Sequence, residues 1–199
     1  GVEVPYEETT KKDGDREKIF EVLEAASNFY EQGLASDASA NKVQKYIKRE
    51  RGISAETCRK FSIGFAPKSW NSLTTHLSKQ GFPSRLQIRA GLVKENKDKD
   101  LYDIFRNRLM FPIKNKRGRS VGFGGRVMDS KDQPKYLNTS DTPVFQKGKE
   151  LYGLFEASQE RRGLSNIFVV EGYMDVVSMS ERGMNNAVAT LGIATNRFH

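Results

Sequence analysis

The chain has 199 residues, 37% of them hydrophobic, and a formal net charge of +8. That length supports one sizeable domain or two small subdomains around a real core, so neither a disulfide nor a structural metal is needed for stability. The lone cysteine, Cys58, excludes an internal disulfide and a Cys-x-x-Cys zinc site, and no stretch resembles a signal peptide or reaches the ~18 apolar residues of a membrane span.

An intracellular, reducing setting, the cytoplasm, is the simplest expectation. The positive balance favours a polyanionic partner such as nucleic acid or an acidic membrane surface, although many basic soluble proteins have neither. The chain opens on Gly1 with no initiator Met, so flanking segments are expected.

Residues 1–15 are polar and charged, with Pro5 and Gly14, and read as a linker. From Asp15, a plausible N-cap, Ile19, Val22, Leu23, Ala26 and Tyr30 recur at three- and four-residue steps and predict an amphipathic helix that stops near Gly33. Further helices are expected over 41–50, 54–61, 70–80 and 84–90. Ser54 followed by Thr57 is half a capping box, because the third position lacks Glu. The mixed-charge run 94–100 reads as a solvated loop.

Two apolar runs, 108–113 and 120–127, flank a basic turn at Arg117-Gly118 and predict a β-hairpin, with a short strand at Tyr136-Leu137 to follow. Asn166-Ile-Phe-Val-Val170 has the continuous apolar character of a parallel strand. A helix over 174–182 closed by Gly183 and a second strand over 186–190 complete a βαβ unit.

Two groups of residues could carry chemistry. Glu171 stands where a parallel strand ends, the usual ligand position in α/β sheets, and Asp175 lies in the first turn of the following helix. Paired carboxylates suit Mg²⁺ or Mn²⁺. The plainer account is a solvated strand end and an acid placed favourably at a helix N-terminus. The second group is basic and glycine-rich: Arg106, Arg108, Lys114, Lys116, Arg117 and Arg119 with no acid among them, then Arg126 after Gly124-Gly125, then Lys135 and Lys147. Glycines allow close approach to phosphate and the cations neutralise it. Phe111, Phe123 and Tyr136 interleave and could stack on bases, though Phe111 and Phe123 fit a hydrophobic core better.

The strings Arg108-Leu-Met-Phe-Pro-Ile113, Val121-Gly-Phe-Gly-Gly-Arg126, Pro134-Lys-Tyr-Leu-Asn138, Thr142-Pro143, Lys147-Gly148, Leu151-Tyr-Gly-Leu154 and Val169-Val-Glu-Gly-Tyr-Met-Asp-Val176 occur in this order, preceded by Arg51-Gly52 and Gly64-Phe-Ala-Pro67. Together they resemble the polymerase core of bacterial DnaG-type replicative primases, from about Val2 onward. The resemblance implies an α/β protein: an α+β basic subdomain over 16–160, then over 161–199 the first βαβ of a TOPRIM fold, incomplete. It implies RNA primer synthesis on single-stranded DNA, with nucleoside triphosphates, the RNA primer and a replicative helicase as further partners. Carried over position by position, Glu171 matches the first TOPRIM acid, a general base or metal support, and Asp175 the second. Arg126, Lys135, Asn138 and Lys147 match positions linked to template, nucleotide and primer phosphates, and Arg51 a functional arginine beside the cleft.

The resemblance also implies Mg²⁺ or Mn²⁺ at an Asp-x-Asp motif after Glu171, and zinc in a separate N-terminal module. Asp13-Gly-Asp15 and Asp98-Lys-Asp100 lie upstream in expected loops, and the chain ends at His199. The metal site is therefore expected to be incomplete, the helicase-binding module absent, and the fragment inactive alone but able to bind single-stranded DNA. With only two strands of its sheet, residues 186–199 are expected to be loosely held and an apolar edge exposed. Other TOPRIM enzymes (topoisomerases, recombination mediators, small nucleases) share the glutamate but not the Gly-Phe-Gly-Gly-Arg and Lys-Tyr-Leu-Asn strings. A non-catalytic nucleic-acid-binding module on the same scaffold is the remaining alternative.

Overall fold

A computed structural model of the chain describes residues 6–129, 133–160 and 166–192. In chain order the elements are α1 (Tyr6–Ser36), α2 (Asn41–Lys45), α3 (Ala55–Lys60), β1 (Gly64–Ala66), α4 (Ser72–Lys79), α5 (Ser84–Arg89), β2 (Val93–Glu95), β3 (Leu101–Asp103), β4 (Arg108–Lys114), β5 (Ser120–Val127), β6 (Tyr136–Asn138), α6 (Leu154–Ser158), β7 (Phe168–Val170), α7 (Tyr173–Glu181) and β8 (Ala187–Ala189). A π-helical turn, Tyr46–Glu50, continues α2.

The stripe on α1 is the organising surface. Ile19, Val22, Leu23, Ala26 and Tyr30 are all buried, as three- and four-residue spacing requires of one helix face. They cover an antiparallel sheet of order β1-β4-β5-β6. The expected linker over 1–15 is corrected from Tyr6 onward, because α1 begins there; residues 1–5 lie outside the described residues. Glu7, Glu8, Lys11 and Lys12 are good helix formers, and extending a packed helix costs far less than nucleating one. Gly33 is no stop either, since the helix runs on to Ser36. A Cβ at Gly33 would stand 2.8 Å from the Phe65 carbonyl oxygen, and one at Gly64 would stand 2.5 Å from the Tyr30 carbonyl carbon. Both glycines let α1 lie directly on the backbone of β1.

The hairpin β4–β5 forms as the pattern predicts, with Phe111 opposite Gly124 and Pro112 opposite Phe123. Side chains alternate between faces along a strand. Phe123 therefore meets Tyr30 of α1 on one face, at 5.4 Å between ring centroids, while Phe111 stacks on Tyr173 of α7 on the other, at 5.2 Å. The sheet is thus covered by α1 on one side and by the βαβ unit on the other.

The charged run 94–100 is a hairpin rather than a plain loop, because Val93 pairs with Asp103 and Glu95 with Leu101. Asn96 Oδ1 accepts from the backbone N–H groups of Asp98 and Asp100 and shapes the turn. In the last unit β7 and β8 pair in parallel. Phe168 and Val169 of β7 stay about half exposed, the apolar edge expected of a two-stranded sheet, but β8 and Leu191 are buried. Residues 187–191 are therefore held more firmly than expected: Ala189 exchanges two backbone hydrogen bonds with Tyr152, each 3.0 Å, and α6 and α7 pack on β8. The remainder of that expectation, residues 193–199, lies outside the described residues.

Two helix starts are capped from a distance. Asp103, buried at the end of β3, accepts from the N–H groups of Leu73 and Thr74 at 2.8 and 2.9 Å and from the Thr74 hydroxyl at 2.6 Å, capping α4. Ser54 Oγ accepts from Thr57 N–H at 3.2 Å, and the acid its capping box lacks locally is supplied by Glu181 of α7, which accepts from the Ser54 N–H and hydroxyl, both at 2.9 Å. Lys60 of α3 adds a 2.7 Å bond to Asn185 and a 3.1 Å bond to Ser180.

Asp103→Ala leaves buried donors unsatisfied and is expected to lower stability by roughly 3 kcal/mol, read as a drop in urea midpoint with unchanged slope. Hydrogen bonds from Thr57 and Ser54 hold the Glu181 carboxyl below its ordinary value of 4.5. A depressed carboxyl contributes its stability above the ordinary value and loses it as pH falls through the folded one. Amide exchange at 54–57 is expected to speed up as pH falls below 4.5 beyond the intrinsic rate change, and Glu181→Gln should remove that excess.

Candidate nucleic-acid interface

One cluster of positive charge is built on an aromatic ring. The π-helical turn places Tyr46 beneath two arginines from distant parts of the chain. Arg51 Nε donates to the Tyr46 hydroxyl at 2.7 Å, and its guanidinium lies 5.2 Å from the ring centroid. The guanidinium of Arg126, from β5, lies 4.5 Å from the same centroid. Two like charges sharing a small volume repel; the quadrupole of one ring and a hydrogen-bond acceptor offset part of that repulsion. Tyr136 sits opposite Arg126 in the ladder. Burial raises its hydroxyl above the usual tyrosine range, partly countered by Arg126 and Arg51.

Lys135, exposed, follows Pro134 at the start of β6. With Lys42, Tyr46, Glu50, Arg126 and Gln133 it lines a cleft of about 480 Å³. Arg51, Arg126 and Lys135 are thus gathered in one region. Lys147 is set apart: it opens a 3-10 turn, Lys147–Lys149, whose first N–H donates to Asp141 at 3.1 Å. Asn138 is two residues beyond Tyr136 on β6, and its amide is engaged at both ends, accepting from the Tyr173 hydroxyl at 2.6 Å and donating to the Leu191 carbonyl at 2.9 Å.

The acidic pair does not share one pose. Glu171 is exposed just beyond β7, while Asp175 Oδ2 turns back to accept from Gly172 N–H at 3.1 Å at the N-terminus of α7. Among the described residues no group of three or more His, Cys, Asp or Glu side chains is arranged to hold a metal ion. Glu171 would be one oxygen ligand of a divalent cation; the described residues do not complete such a site.

Much of the basic stretch serves the fold. Arg108 is buried and donates to the carbonyls of Gly125 and Pro134 at 3.1 and 3.0 Å. Lys114 pairs with Glu156 at 3.2 Å, both largely buried. Arg119 pairs with Glu17 at 2.7 Å and covers Phe20 at 3.6 Å. Phe111 and Phe123 belong to the core.

One feature escaped the sequence reading. Trp70 is 66% exposed. Arg106 lies 4.2 Å over its ring and 5.5 Å from that of Tyr102, and the two rings meet edge to face at 6.2 Å. An exposed tryptophan backed by a guanidinium is a flat stacking surface of the kind single-stranded nucleic acids use. The one available signal was position: this tryptophan sits between Ser69 and Asn71, off any apolar stripe.

The chain is an antiparallel basic subdomain followed by a parallel βαβ unit with a glutamate just beyond its first strand, and residues 165–197 match the Toprim domain model. Residues 29–158 match the model "DNA primase catalytic core, N-terminal domain". The chain is 47% identical over 204 residues to a DNA primase of Pseudomonas putida and 42% identical over 186 residues to that of Escherichia coli K12, covering 100% and 92% of this chain and 31% of each relative. It therefore spans about a third of the length of the curated relatives it matches. Solved relatives include a DnaG primase catalytic domain bound to ssDNA (TM-score 0.85, 42% identity, 94% of this chain and 57% of that one). A second is the RNA polymerase domain of Mycobacterium tuberculosis primase with a double-stranded DNA oligomer carrying a 6-nucleotide overhang (0.86, 36%, 92% and 57%). This chain belongs to the DNA primase family.

Replacing Tyr46 with Leu removes the support of both arginines. It is expected to weaken binding of a single-stranded oligonucleotide roughly three- to tenfold, measured by fluorescence anisotropy, with Tyr46→Phe losing less because the ring stays.

Proposed function

We propose that this chain is the template- and nucleotide-facing part of a polymerase core that makes RNA primers on single-stranded DNA, and that by itself it binds single-stranded DNA without catalysing synthesis. The observation that carries this is the pair Arg51 and Arg126 fixed on Tyr46 beside exposed Lys135. Positive charge held rigidly in place meets a phosphate backbone at low entropic cost. Trp70, with Arg106 beneath it, adds a platform on which a base can stack whatever its identity. Likeness to a primase domain solved with ssDNA supports the same reading. It divides the chain into a basic subdomain over 16–160 and a Toprim segment over 161–199.

In the reaction so assigned, a 3′-hydroxyl attacks the α-phosphate of a ribonucleoside triphosphate, a new P–O bond forms and pyrophosphate leaves. The part played by these residues is positioning and charge neutralisation: Arg126, Lys135 and Lys147 toward phosphates, Arg51 steadying the cleft. Glu171 is assigned to the acidic side, as a general base or as one ligand of a Mg²⁺ or Mn²⁺ ion that would supply Lewis-acid stabilisation. Asp175 is assigned to orienting the segment that carries Glu171. The RNA primer is the further ligand of this core; zinc and the replicative helicase belong to modules outside the residues matched here. The cytoplasm is the setting that goes with this role.

Anisotropy titrations over a range of salt test the binding reading. Single strands release roughly 0.7 counterion per phosphate contact, so Arg126→Ala/Lys135→Ala is expected to flatten the log–log salt slope by about 1.4. Trp70→Ala is expected to weaken binding roughly tenfold while leaving that slope alone, as loss of stacking does. Binding unaffected by all three substitutions would overturn the reading.

A further inference from the structure

Asn138 touches both ends of the α7 crossover. The Leu191 carbonyl can only accept a hydrogen bond, so the amide NH₂ must face it, 2.9 Å away. That orientation leaves Oδ1 toward Tyr173, whose hydroxyl donates at 2.6 Å. Tyr173 begins α7, two residues after Glu171, and Leu191 follows β8. One side chain on the edge strand of the basic sheet therefore holds the entry to α7 and the exit of β8 together.

The surroundings pack closely on Tyr173. Its ring lies parallel to Phe111 at 10° and 5.2 Å, and edge-on to Tyr152 at 4.8 Å. Beneath it is Gly124, which pairs with Asn138 in the ladder. A Cβ at Gly124 would stand 2.4 Å from Tyr173 Cζ. Burial keeps the hydroxyl protonated far above its ordinary titration range, so it remains a donor at any working pH.

We propose that Tyr173 and Asn138 form a positioning latch that sets where Glu171 stands relative to Arg126 and Lys135, and that Asn138 acts through this latch rather than by contacting nucleotide. Both ends of the amide are tied to protein, so its orientation is fixed, and a carboxylate two residues from the tied tyrosine is carried wherever that tyrosine is held. The latch joins the two chemically different halves of the cleft: β6 runs from Tyr136, next to Lys135, to Asn138, and the hydrogen bond continues from there to the segment bearing Glu171 just beyond β7. The inference rests on the polymerase reading above for its catalytic consequence, though not for its geometry.

The test uses Tyr173→Phe, which keeps the ring and removes only the hydrogen bond, and Asn138→Ala, alone and combined. In the full-length primase carrying this segment, each single substitution is expected to lower kcat for primer synthesis roughly ten- to a hundredfold, as small misplacements of a reacting group do. KM for the nucleotide should stay within about twofold, because no ground-state contact is lost. The double variant should be no slower than the slower single one, since both remove the same link. In the present chain, amide exchange at 171–175 and 187–192 is expected to quicken roughly tenfold in both single variants while α1 is unchanged. A raised KM in Asn138→Ala with Tyr173→Phe behaving as wild type would overturn the latch and make Asn138 a nucleotide contact. Unchanged exchange in Tyr173→Phe would overturn it as well, on this chain alone. A full-length wild-type protein that makes no primer would instead sink the polymerase reading, and the exchange data would still decide the latch.

Discussion

The contact on which the rest of this structure depends is the packing of Phe111, Tyr152 and Tyr173 across the outer face of the hairpin. These rings lie 4.8–6.0 Å apart in stacked and edge-to-face pairs, the arrangement that ring quadrupoles favour. Each comes from a different part of the chain: a central strand, the segment before α6, and the first turn of α7. At the far end of α7 the unit is held by polar contacts, where Glu181 and Lys60 meet α3 and its cap. Those contacts are exposed and weak individually; the buried rings make the two units one body, and the amide of Asn138 then gives their contact a single register.

The net charge of +8 is less informative than its distribution. Arg108 and Lys114 are drawn inward, matched by backbone carbonyls and by a carboxylate, because a buried cation without partners is too costly to keep; Arg119 pairs with Glu17 nearer the surface. Three other arginines rest on aromatic rings: Arg51 and Arg126 on Tyr46, Arg106 on Trp70. An acid would neutralise the charge that a polyanion must meet. A ring fixes the guanidinium and leaves its positive charge in place.

The same economy of partners recurs in the helix caps. Neither α3 nor α4 finds a full cap in its own sequence, and each takes a carboxylate from elsewhere, Glu181 for one and Asp103 for the other. In this way secondary structure that looks marginal locally becomes conditional on the tertiary fold, and α3 in particular is completed only when α7 is docked.

The local periodicities were sufficient for a good part of the molecule. The apolar stripe of α1, the hairpin 108–127 and the parallel βαβ pattern after residue 166 are each set by interactions between near neighbours, and each is found where its spacing puts it. The ordered strings from Arg108 to Val176 were likewise enough to place the chain in its family. What the sequence could not supply were the relations between distant segments. The Trp70 platform and the engagement of Asn138 by Tyr173 and Leu191 depend on groups tens of residues apart; the helix from Tyr6 and the β2–β3 hairpin are local, but lie in charged stretches whose composition reads as solvated chain. Side-chain chemistry limits what a residue can do; only the packed fold decides which of those options is still open, because a hydrogen bond or a ring face already occupied by a neighbour is no longer free to meet a ligand.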